Sequence, residues 1–198
     1  MASTCRPTAA SGTLRACSSK SLRESFEQAA ALRVTAGPPA ASNRNRGVGP
    51  SIVRVRELAS LSPGQLADLV AESERGGLCF VRRLQDDWHS GANRFDQFGE
   101  AFFTAIDEAR LLGVCGLNVD PYSPSPRVGR VRHLYVSAAH RHQGIGSRLV
   151  HEVIVAARHS FDRLRLRTND PHAARFYERL GFLRCEADSS ATHELDLA

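Results

Sequence analysis

The alternation of apolar and polar residues divides the chain near residue 51. Residues 51–58 read SIVRVREL and show the two-residue period of a half-buried strand. Apolar residues at helical spacing follow, with Ser62 as the expected N-cap, Pro63 as the first helical residue and two glycines, 76–77, at the end. A second helix is predicted in LCFVRRLQDDW, before a loop that reads WHSGANRFDQFGE.

The second half of the chain continues with strands. AFFTAID and RLLGVCGLNV flank a short turn at Glu108 and predict a β-hairpin, and RVRHLYV predicts the next strand. An apolar helical face covers residues 149–157, and RLRLRT alternates strictly as a strand. A helix is expected from Pro171, capped by Asn169 or Asp170, and the strands FLRCEA and THELDLA end the chain. The order β-α-α-β-β-β-α-β-α-β-β predicts a mixed α/β domain over residues 51–198.

Residues 1–50 lack this periodicity and hold the net charge. They contain seven of the 26 basic residues and two of the 21 acidic ones, so the whole net charge of +5 lies in this segment. We predict a disordered basic Ala/Ser/Arg-rich tail, with an organellar targeting peptide as the alternative. The neutral remainder argues against a nucleic-acid-binding domain. No apolar run approaches the roughly 18 residues that span a bilayer, and five scattered cysteines favour a reducing, cytoplasmic location.

The stretch HRHQGIGSRL, residues 140–149, carries the clearest chemistry. Two glycines lie between a strand and a helix, where unpaired backbone N–H groups attract anions and a missing Cβ lets a phosphate approach. Arg141 adds a charged donor beside them. No lysine completes a P-loop, and Leu149 occupies the position of the third glycine of a dinucleotide fingerprint. The motif therefore predicts a phosphate or pyrophosphate site of another kind.

The two halves HLYVSAAHRHQGIGSRLV and LRLRTNDPHAARFYERLGF together resemble the GCN5-related N-acetyltransferases. This resemblance implies a mixed central sheet of about seven strands flanked by about four helices. It also implies acetyl-CoA as co-substrate, no metal, and direct transfer of the acetyl group to the amine of a small molecule or peptide. Relatives of this kind are often monomers or homodimers.

The resemblance also implies roles for individual residues. Backbone groups of Leu134, Tyr135 and Val136 would bond the acetyl group and the pantetheine arm as an added strand would. Asn169 would bond the pantetheine or the adjacent backbone, and Tyr177 would protonate the departing thiolate. The pyrophosphate would be held by backbone amides of Arg141, His142, Gln143, Gly144, Ile145, Gly146 and Ser147.

The sequence indicates the general base less clearly than the cofactor site. Many relatives place a glutamate on the motif strand, but GRVRHLYV contains no carboxylate. His133 shares a strand face with Tyr135 and is a candidate base, because an imidazole ordinarily titrates near neutral pH. Glu100 or Asp120 could act through water instead.

Three hypotheses for the function of the protein remain open at this point. The first is the N-acetyltransferase; the second is an acyl-CoA-binding or regulatory module without chemistry; the third is nucleic-acid binding through the tail. The two loops at residues 88–100 and 120–130 are expected to decide the acceptor, although their charges have both signs. Trp88, Asn93, Arg94 and Phe95 could line an acceptor pocket or form an apolar plug. The alternating arginines of RLRLRT are expected on a solvated face.

Overall fold

The computed structural model describes residues 53–185 and 190–197, and the predicted tail lies outside them. Seven strands in this part of the chain form one sheet in the order β1-β2-β3-β4-β5-β7-β6, antiparallel except between β4 and β5. The elements are β1 (Arg54–Glu57), α1 (Ala67–Arg75), α2 (Phe80–Ser90), β2 (Ala101–Asp107), β3 (Arg110–Val119), β4 (Val128–Val136), a 3₁₀ helix (Ala138–His140), α3 (Ile145–Ala157), β5 (Arg163–Leu166), α4 (Pro171–Arg179), β6 (Leu183–Arg184) and β7 (His193–Asp196). The predicted fold class and element order are confirmed.

The sheet separates two apolar cores. Helices α3 and α4 cover one face, where Leu149, Val153 and Tyr177 pack with Leu134 and Val131 of β4. Helices α1 and α2 cover the other face and bury a cluster of aromatic and aliphatic side chains. Burial of apolar surface on both faces holds β3 and β4 at the centre of the domain. The position of β4 is therefore fixed by packing on both faces of the sheet.

Two predicted helix boundaries are wrong. Ser62 precedes a run of turns over residues 63–66, and α1 begins only at Ala67, because Gly64 adopts a φ of +79° that interrupts helical geometry. Helix α2 extends through Trp88 to Ser90, into the predicted loop, and ends where Gly91 adopts a φ of +79°.

The cap predicted for the last helix is present. The Asp170 carboxylate accepts a hydrogen bond of 2.8 Å from the His172 N–H, and Pro171 occupies the first helical position. Gly181 follows the helix with a φ of +93°, which suits a glycine after a helix end. Asp170, not Asn169, is therefore the capping residue.

The alternating arginines of β5 are not simply solvated. Arg163 forms ion pairs with Glu194 at 3.3 Å and Asp196 at 2.7 Å, both on the neighbouring strand β7. Arg165 lies 3.6 Å from Glu194, and its side chain is 20% exposed. Cross-strand partners of opposite charge, which the alternation alone does not reveal, bind these side chains to the sheet.

Strand β4 carries the irregularities that create a site. It pairs with β5 only from Val128 to Arg130, so the strands diverge over the rest of β4. On its other side, the register with β3 shifts between Val114 and Gly116, which is a β-bulge opposite His133 and Leu134. His133 has a φ of +55° in this bulge. The diverging strands leave one backbone edge of β4 available to a ligand.

Candidate active site

A cleft of about 550 Å³ opens where β4 and β5 diverge. It is bounded by the end of β4, by the turn before α3 and by one face of α4. The lining residues are Leu134, Tyr135, Val136, His140, Arg141, His142, Gly144, Ile145, Gly146, Ser147, His172, Arg175, Phe176 and Arg179. This lining contains three arginines, three histidines and no carboxylate, so the cleft suits an anionic ligand.

The turn before α3 directs backbone donors into the cleft. His142 and Gly144 adopt positive φ values of 61° and 77°, a geometry in which successive N–H groups form a concave anion site. The first backbone bond of the helix is from the Arg148 N–H to the Gly144 carbonyl, at 3.0 Å. Helix α3 has no side-chain cap at this end, so its first amides stay available for a ligand.

The two glycines of the turn have different surroundings. Gly144 needs its left-handed conformation, and a Cβ there would meet no heavy atom within 4 Å. At Gly146 a Cβ would lie 3.5 Å from the Phe176 ring, which is ordinary contact and shows how closely α4 approaches the turn. The open space for a phosphate group therefore lies at Gly144, whereas Gly146 faces the side chains of α4.

The Arg141 side chain does not extend into the cleft as an isolated cation. Its Nε donates to the Val136 carbonyl at 3.0 Å, and its guanidinium lies 5.5 Å from the centre of the Tyr135 ring. The positive charge thus braces the end of β4 against the turn. The backbone amides, more than this side chain, face the space for a ligand.

Sequence reasoning missed Glu72 on α1. Its Oε1 atom accepts a 2.8 Å bond from the Tyr135 hydroxyl and a 2.6 Å bond from the Ala138 N–H. Burial, and next the hydrogen bond to Glu72, raise the pKa of Tyr135. No pattern signals this contact, because 63 residues separate Glu72 from Tyr135.

Tyr177, the predicted proton donor, lies inside the core beside the cleft. Its side chain is fully buried against Phe176 and Phe182, and the hydroxyl has no hydrogen-bond partner in the described part of the chain. Burial first, and the neighbouring Cys115 thiol second, raise the pKa of Tyr177 well above its ordinary value. The hydroxyl is therefore protonated but does not line the cleft.

His133, the predicted base, is also enclosed. It lies between the rings of Phe80 and Phe95, with centroids 6.4 and 6.2 Å away, and its Nε2 has no partner among the described residues. Burial, followed by the positive charge of Arg132, lowers the pKa of His133 to about 3. Such an imidazole is a weak proton acceptor at neutral pH. His133 and Tyr135 both contact Phe80, in keeping with their expected shared face.

The two alternative carboxylates are already bound elsewhere. Asp120 is buried in an ion pair with Arg130 at 3.3 Å. Glu100 accepts hydrogen bonds from the Val119 N–H at 3.1 Å and the Gln97 N–H at 3.4 Å, and so braces the loop before β2. Neither side chain reaches the cleft.

Two residues predicted to bind the cofactor are absent from the cleft lining. Gln143 is exposed, and its Nε2 donates to the Ala139 carbonyl at 3.3 Å. Asn169 is exposed before α4.

Helix α4 contributes a wall of the cleft that the sequence analysis did not identify. Its signal was the helical spacing i, i+3, i+4, i+7 of one set of side chains: His172, Arg175, Phe176 and Arg179.

A second, smaller cavity of about 210 Å³ lies on the α2 side of the sheet. Trp88 and Phe95 are buried beside it with ring centroids 6.1 Å apart, so these two residues form the apolar plug. Asn93 instead exchanges side-chain hydrogen bonds of 3.1 and 3.0 Å with Asn118. The charged residues around this cavity have both signs: Arg94, Asp96, Glu100 and Arg132.

Comparison with known proteins agrees with this geometry. A sequence profile described as the acetyltransferase (GNAT) family matches residues 66–182, which include both halves of the motif. The chain belongs to the acetyltransferase (GNAT) family. Family membership supports acyl-CoA-dependent acyl transfer in general. A search among curated proteins gives no significant match.

Solved structures show the same GNAT fold. A protein of Exiguobacterium sp. 255-15 assigned to the acetyltransferases is 28% identical, with a TM-score of 0.65, over 73% of this chain and 93% of that one. A Staphylococcus aureus Mu50 acetyltransferase of the GNAT family is 20% identical, with a TM-score of 0.58, over 73% and 100%. Escherichia coli YhbS, solved in complex with CoA, is 18% identical, with a TM-score of 0.54, over 78% and 86%.

The described part of this GNAT domain contains no group of three His, Cys, Asp or Glu side chains arranged to hold a metal ion. None of its helices combines the length and apolar character needed to cross a membrane.

Proposed function

We propose that this protein is an acetyl-CoA-dependent N-acetyltransferase that transfers the acetyl group directly to an amine. One observation carries the proposal. The diverging edge of β4 meets a turn of unpaired amides in a cleft lined by three arginines, three histidines and no carboxylate. An acyl thioester of this kind matches the arrangement of the cleft: its pantetheine arm would lie along the free backbone edge of β4, and its pyrophosphate would lie at the turn of unpaired amides. Bound CoA in the GNAT protein YhbS supports the choice of ligand.

Acetyl-CoA would supply the thioester, and the chain's own residues would position it. Backbone groups of Leu134, Tyr135 and Val136 would orient the pantetheine along β4, and amides from Arg141 to Ser147 would hold the pyrophosphate. An N–H near Val136 would polarise the carbonyl. Tyr177 is the proposed proton donor to the sulfur, which requires its hydroxyl to become accessible from the cleft.

The proton acceptor in this proposal is not His133. An imidazole with a pKa near 3 is unprotonated at neutral pH, but it holds a proton too weakly to drive amine deprotonation. Glu72 brings a carboxylate to the Tyr135 side chain, and only its Oε1 atom has hydrogen-bond partners among the described residues. We propose that Glu72 fixes the end of β4 on the side that the acceptor would approach.

A second candidate function is a non-catalytic acyl-CoA-binding module. Two buried groups favour this function: the Tyr177 hydroxyl and the His133 Nε2 atom have no hydrogen-bond partner among the described residues. Such a module would bind acyl-CoA as tightly as an enzyme does but would release no thiol in the presence of amines.

Calorimetric titration of the full chain with acetyl-CoA tests the shared part of both candidates. Gly144→Asp places a side chain and a negative charge where the phosphates would bind, and we expect it to weaken acetyl-CoA binding at least 100-fold. Gly77→Asp is a matched control, because Gly77 has a φ of +76° and no heavy atom within 4 Å of its Cβ position. The control variant should bind acetyl-CoA as the parent does.

An amine library with thiol-release detection then separates the two candidates. Release of thiol that depends on both acetyl-CoA and an amine supports the enzyme. Binding without thiol release for every amine class would favour the module. Absence of binding in the parent protein would overturn both.

A further inference from the structure

The smaller cavity of about 210 Å³, on the α2 side of the sheet, has two guanidinium groups in its lining. One belongs to Arg132 of β4, and the other belongs to Arg94 in the loop after α2. Two carboxylates, those of Asp96 and Glu100, accompany them. The composition alone therefore allows ligands of either charge, and the hydrogen bonds of each group are needed to distinguish between them.

The Glu100 carboxylate is used within the fold. Its two oxygen atoms accept hydrogen bonds from the Val119 N–H at 3.1 Å and from the Gln97 N–H at 3.4 Å. Glu100 therefore holds the loop before β2 and has less capacity to bind a ligand. Asp96 is exposed beside the cavity, so it is the carboxylate that a ligand meets at the surface.

Arg94 is held in position by its neighbours in the chain. Its Nε donates to the Trp88 carbonyl at 3.2 Å, and the two terminal nitrogen atoms of the guanidinium stay available for a ligand. Asn93 exchanges two side-chain hydrogen bonds with Asn118, and its Oδ1 also accepts from the Phe95 N–H at 3.1 Å. Phe95 is a buried ring of the apolar plug. Because the residues on both sides of Arg94 are fixed, little entropy is lost when its guanidinium binds an anion.

Arg132 connects the cavity with the edge of β4. Strands β4 and β5 pair only as far as Arg130, so Arg132 lies where the two strands diverge. Val131 packs in the core on the α3 side, whereas Arg132 lines the cavity on the α2 side. Leu134, two residues further along β4 and about 7 Å away, lines the cleft. The gap between the diverging strands is therefore a path from the cavity to the cleft.

We propose that Arg94 and Arg132 bind a carboxylate of the acceptor, so that the substrate is an amine that also carries a carboxylate. The inference rests on the proposed function, because it names the class of acceptor for the same reaction. A guanidinium group binds a carboxylate through two parallel hydrogen bonds, and two arginines from different elements fix its position. The ammonium form of such an acceptor has the opposite charge, which Asp96 attracts.

The distance between the cavity and the cleft limits the shape of this acceptor. Because about 7 Å of β4 separates Arg132 from Leu134, several bonds must lie between the carboxylate and the reacting amine. The side-chain amine of an amino acid and the amino terminus of a short peptide meet this condition. In the transfer, the amine nitrogen bonds to the acetyl carbon, the carbon–sulfur bond breaks, and the proton lost by the amine balances the proton gained by the thiol. The carboxylate takes no part in these bonds.

Matched pairs of amines test the assignment with the full chain, acetyl-CoA and detection of thiol release. L-lysine is compared with cadaverine, the same diamine without the carboxylate, and triglycine is compared with triglycine amide. We expect kcat/KM to be about 10-fold higher or more for the carboxylate member of at least one pair. Raising the salt concentration should reduce this preference.

Arg94→Gln should raise the KM of the preferred acceptor about 10-fold and leave the KM of its partner without the carboxylate within about twofold. The KM of acetyl-CoA should not change, because Arg94 lies outside the lining of the cleft. Arg75→Gln is the matched control. Arg75 is also exposed, and its Nε also donates to a backbone carbonyl at 3.2 Å, but it lines neither cavity. This control should keep the preference of the parent.

Arg132→Lys tests the second arginine without removing its charge. A lysine ammonium group cannot form the two parallel hydrogen bonds, so we expect an intermediate loss of the preference. Thermal unfolding checks that the three variants are folded. If Arg132→Lys does not fold, Arg94→Gln alone decides the test, because Arg94 is exposed.

Two results would overturn the assignment and leave the proposed function intact. One is thiol release with other amines but no preference for the carboxylate member of either pair. The other is a preference that the Arg94 and Arg132 variants leave unchanged, which would place the carboxylate elsewhere. Absence of thiol release with every amine would instead refute the proposed function, and the assignment with it.

Discussion

The two cavities on either side of β4 differ in size, charge and construction. The larger, of about 550 Å³, is lined by residues of one strand–turn–helix segment and by one face of α4. The smaller, of about 210 Å³, collects residues from the loop before β2, from the end of β3 and from β4, with charges of both signs. The first has the composition of a polyanion site, whereas the composition of the second does not by itself define a ligand class.

This difference explains why the cofactor is easier to infer than the acceptor. A phosphate site made from neighbouring residues leaves a local pattern in the sequence, because glycines and amides must follow one another. A cavity assembled from distant segments leaves no such pattern. The face of the sheet that α1 and α2 cover is the closed face. Variants on this face and in the cleft beside β4 test how far the two depend on each other.

The largest expected effect is on chemistry, from Tyr177→Phe. The Tyr177 hydroxyl has no hydrogen-bond partner within the described chain, so its removal should not lower the stability of the domain. If this hydroxyl protonates the thiolate, turnover should fall at least 100-fold, about 2.7 kcal/mol, with unchanged acetyl-CoA binding. Thiol release with an amine found in the library provides the measurement.

Tyr122→Phe is the matched control for that variant, since Tyr122 is 49% exposed and lies outside the cleft lining. Its turnover should equal that of the parent. Full activity of Tyr177→Phe across the pH range would show that the buried hydroxyl never reaches the cleft.

Gly116→Ala should give the next largest effect, on the closed face. A Cβ at Gly116 would overlap the Phe95 ring, which itself packs on Phe102 with centroids 5.1 Å apart. We expect the free energy of unfolding to fall by about 2.5 kcal/mol, as overpacking of a filled core does. Urea denaturation checks this value.

Gly146→Ala makes the same chemical change where a Cβ would meet only ordinary contacts, at 3.5 Å or more. It should retain the stability of the parent in the same urea experiment. Equal stability of Gly116→Ala and the parent would mean that the Phe95 plug is loose enough to move aside.

The sequence predicted the fold well wherever the cause was local. Element order, the Asp170 cap and the turn at Gly144 follow from period and short-range chemistry. The predicted start of α1 is wrong, because Ser62 and Pro63 have the residue types of a helix start but Gly64 directly after them adopts a left-handed conformation. Contacts between distant elements, such as Glu72 with Tyr135, depend on how helices cross the sheet and have no sequence signature.

The candidate site divides in the same way. The sequence predicts the glycine turn before α3, and the helical spacing of basic residues could have predicted the α4 wall. The burial of His133 was not, because it results from a bulge in β4 and from rings supplied by α2 and the following loop. A residue's type suggests what chemistry it can perform, whereas its burial decides the pKa at which it does so.

A pH titration of stability tests the enclosure of His133. Its pKa of about 3 in the folded state lies below the usual value of 6.5, so the unfolded chain binds a proton that the folded chain refuses. This contribution to stability is complete above pH 6.5 and is lost as pH falls toward 3. Between pH 7 and pH 5 the parent should lose about 2 kcal/mol more than His133→Asn.

Asparagine is chosen because it tolerates the positive φ of 55° at this position. All other titrating groups are common to the two proteins, so the difference between their denaturation curves isolates His133. Parallel loss of stability in both proteins would mean that the imidazole is accessible to protons and could yet serve as a base.

The smallest expected effect, from Glu72→Gln, tests the link between α1 and the cofactor side. The change keeps an oxygen that can accept from the Tyr135 hydroxyl and the Ala138 N–H, but removes the charge that strengthens both bonds. The free energy of unfolding should fall by about 1 kcal/mol, and acetyl-CoA affinity should fall slightly because the end of β4 is held less firmly. Glu74→Gln, which breaks only an exposed ion pair with Arg82, is the control and should change neither quantity measurably. If both variants behave like the parent, the closed face and the cleft beside β4 are independent, and Glu72 does not couple them.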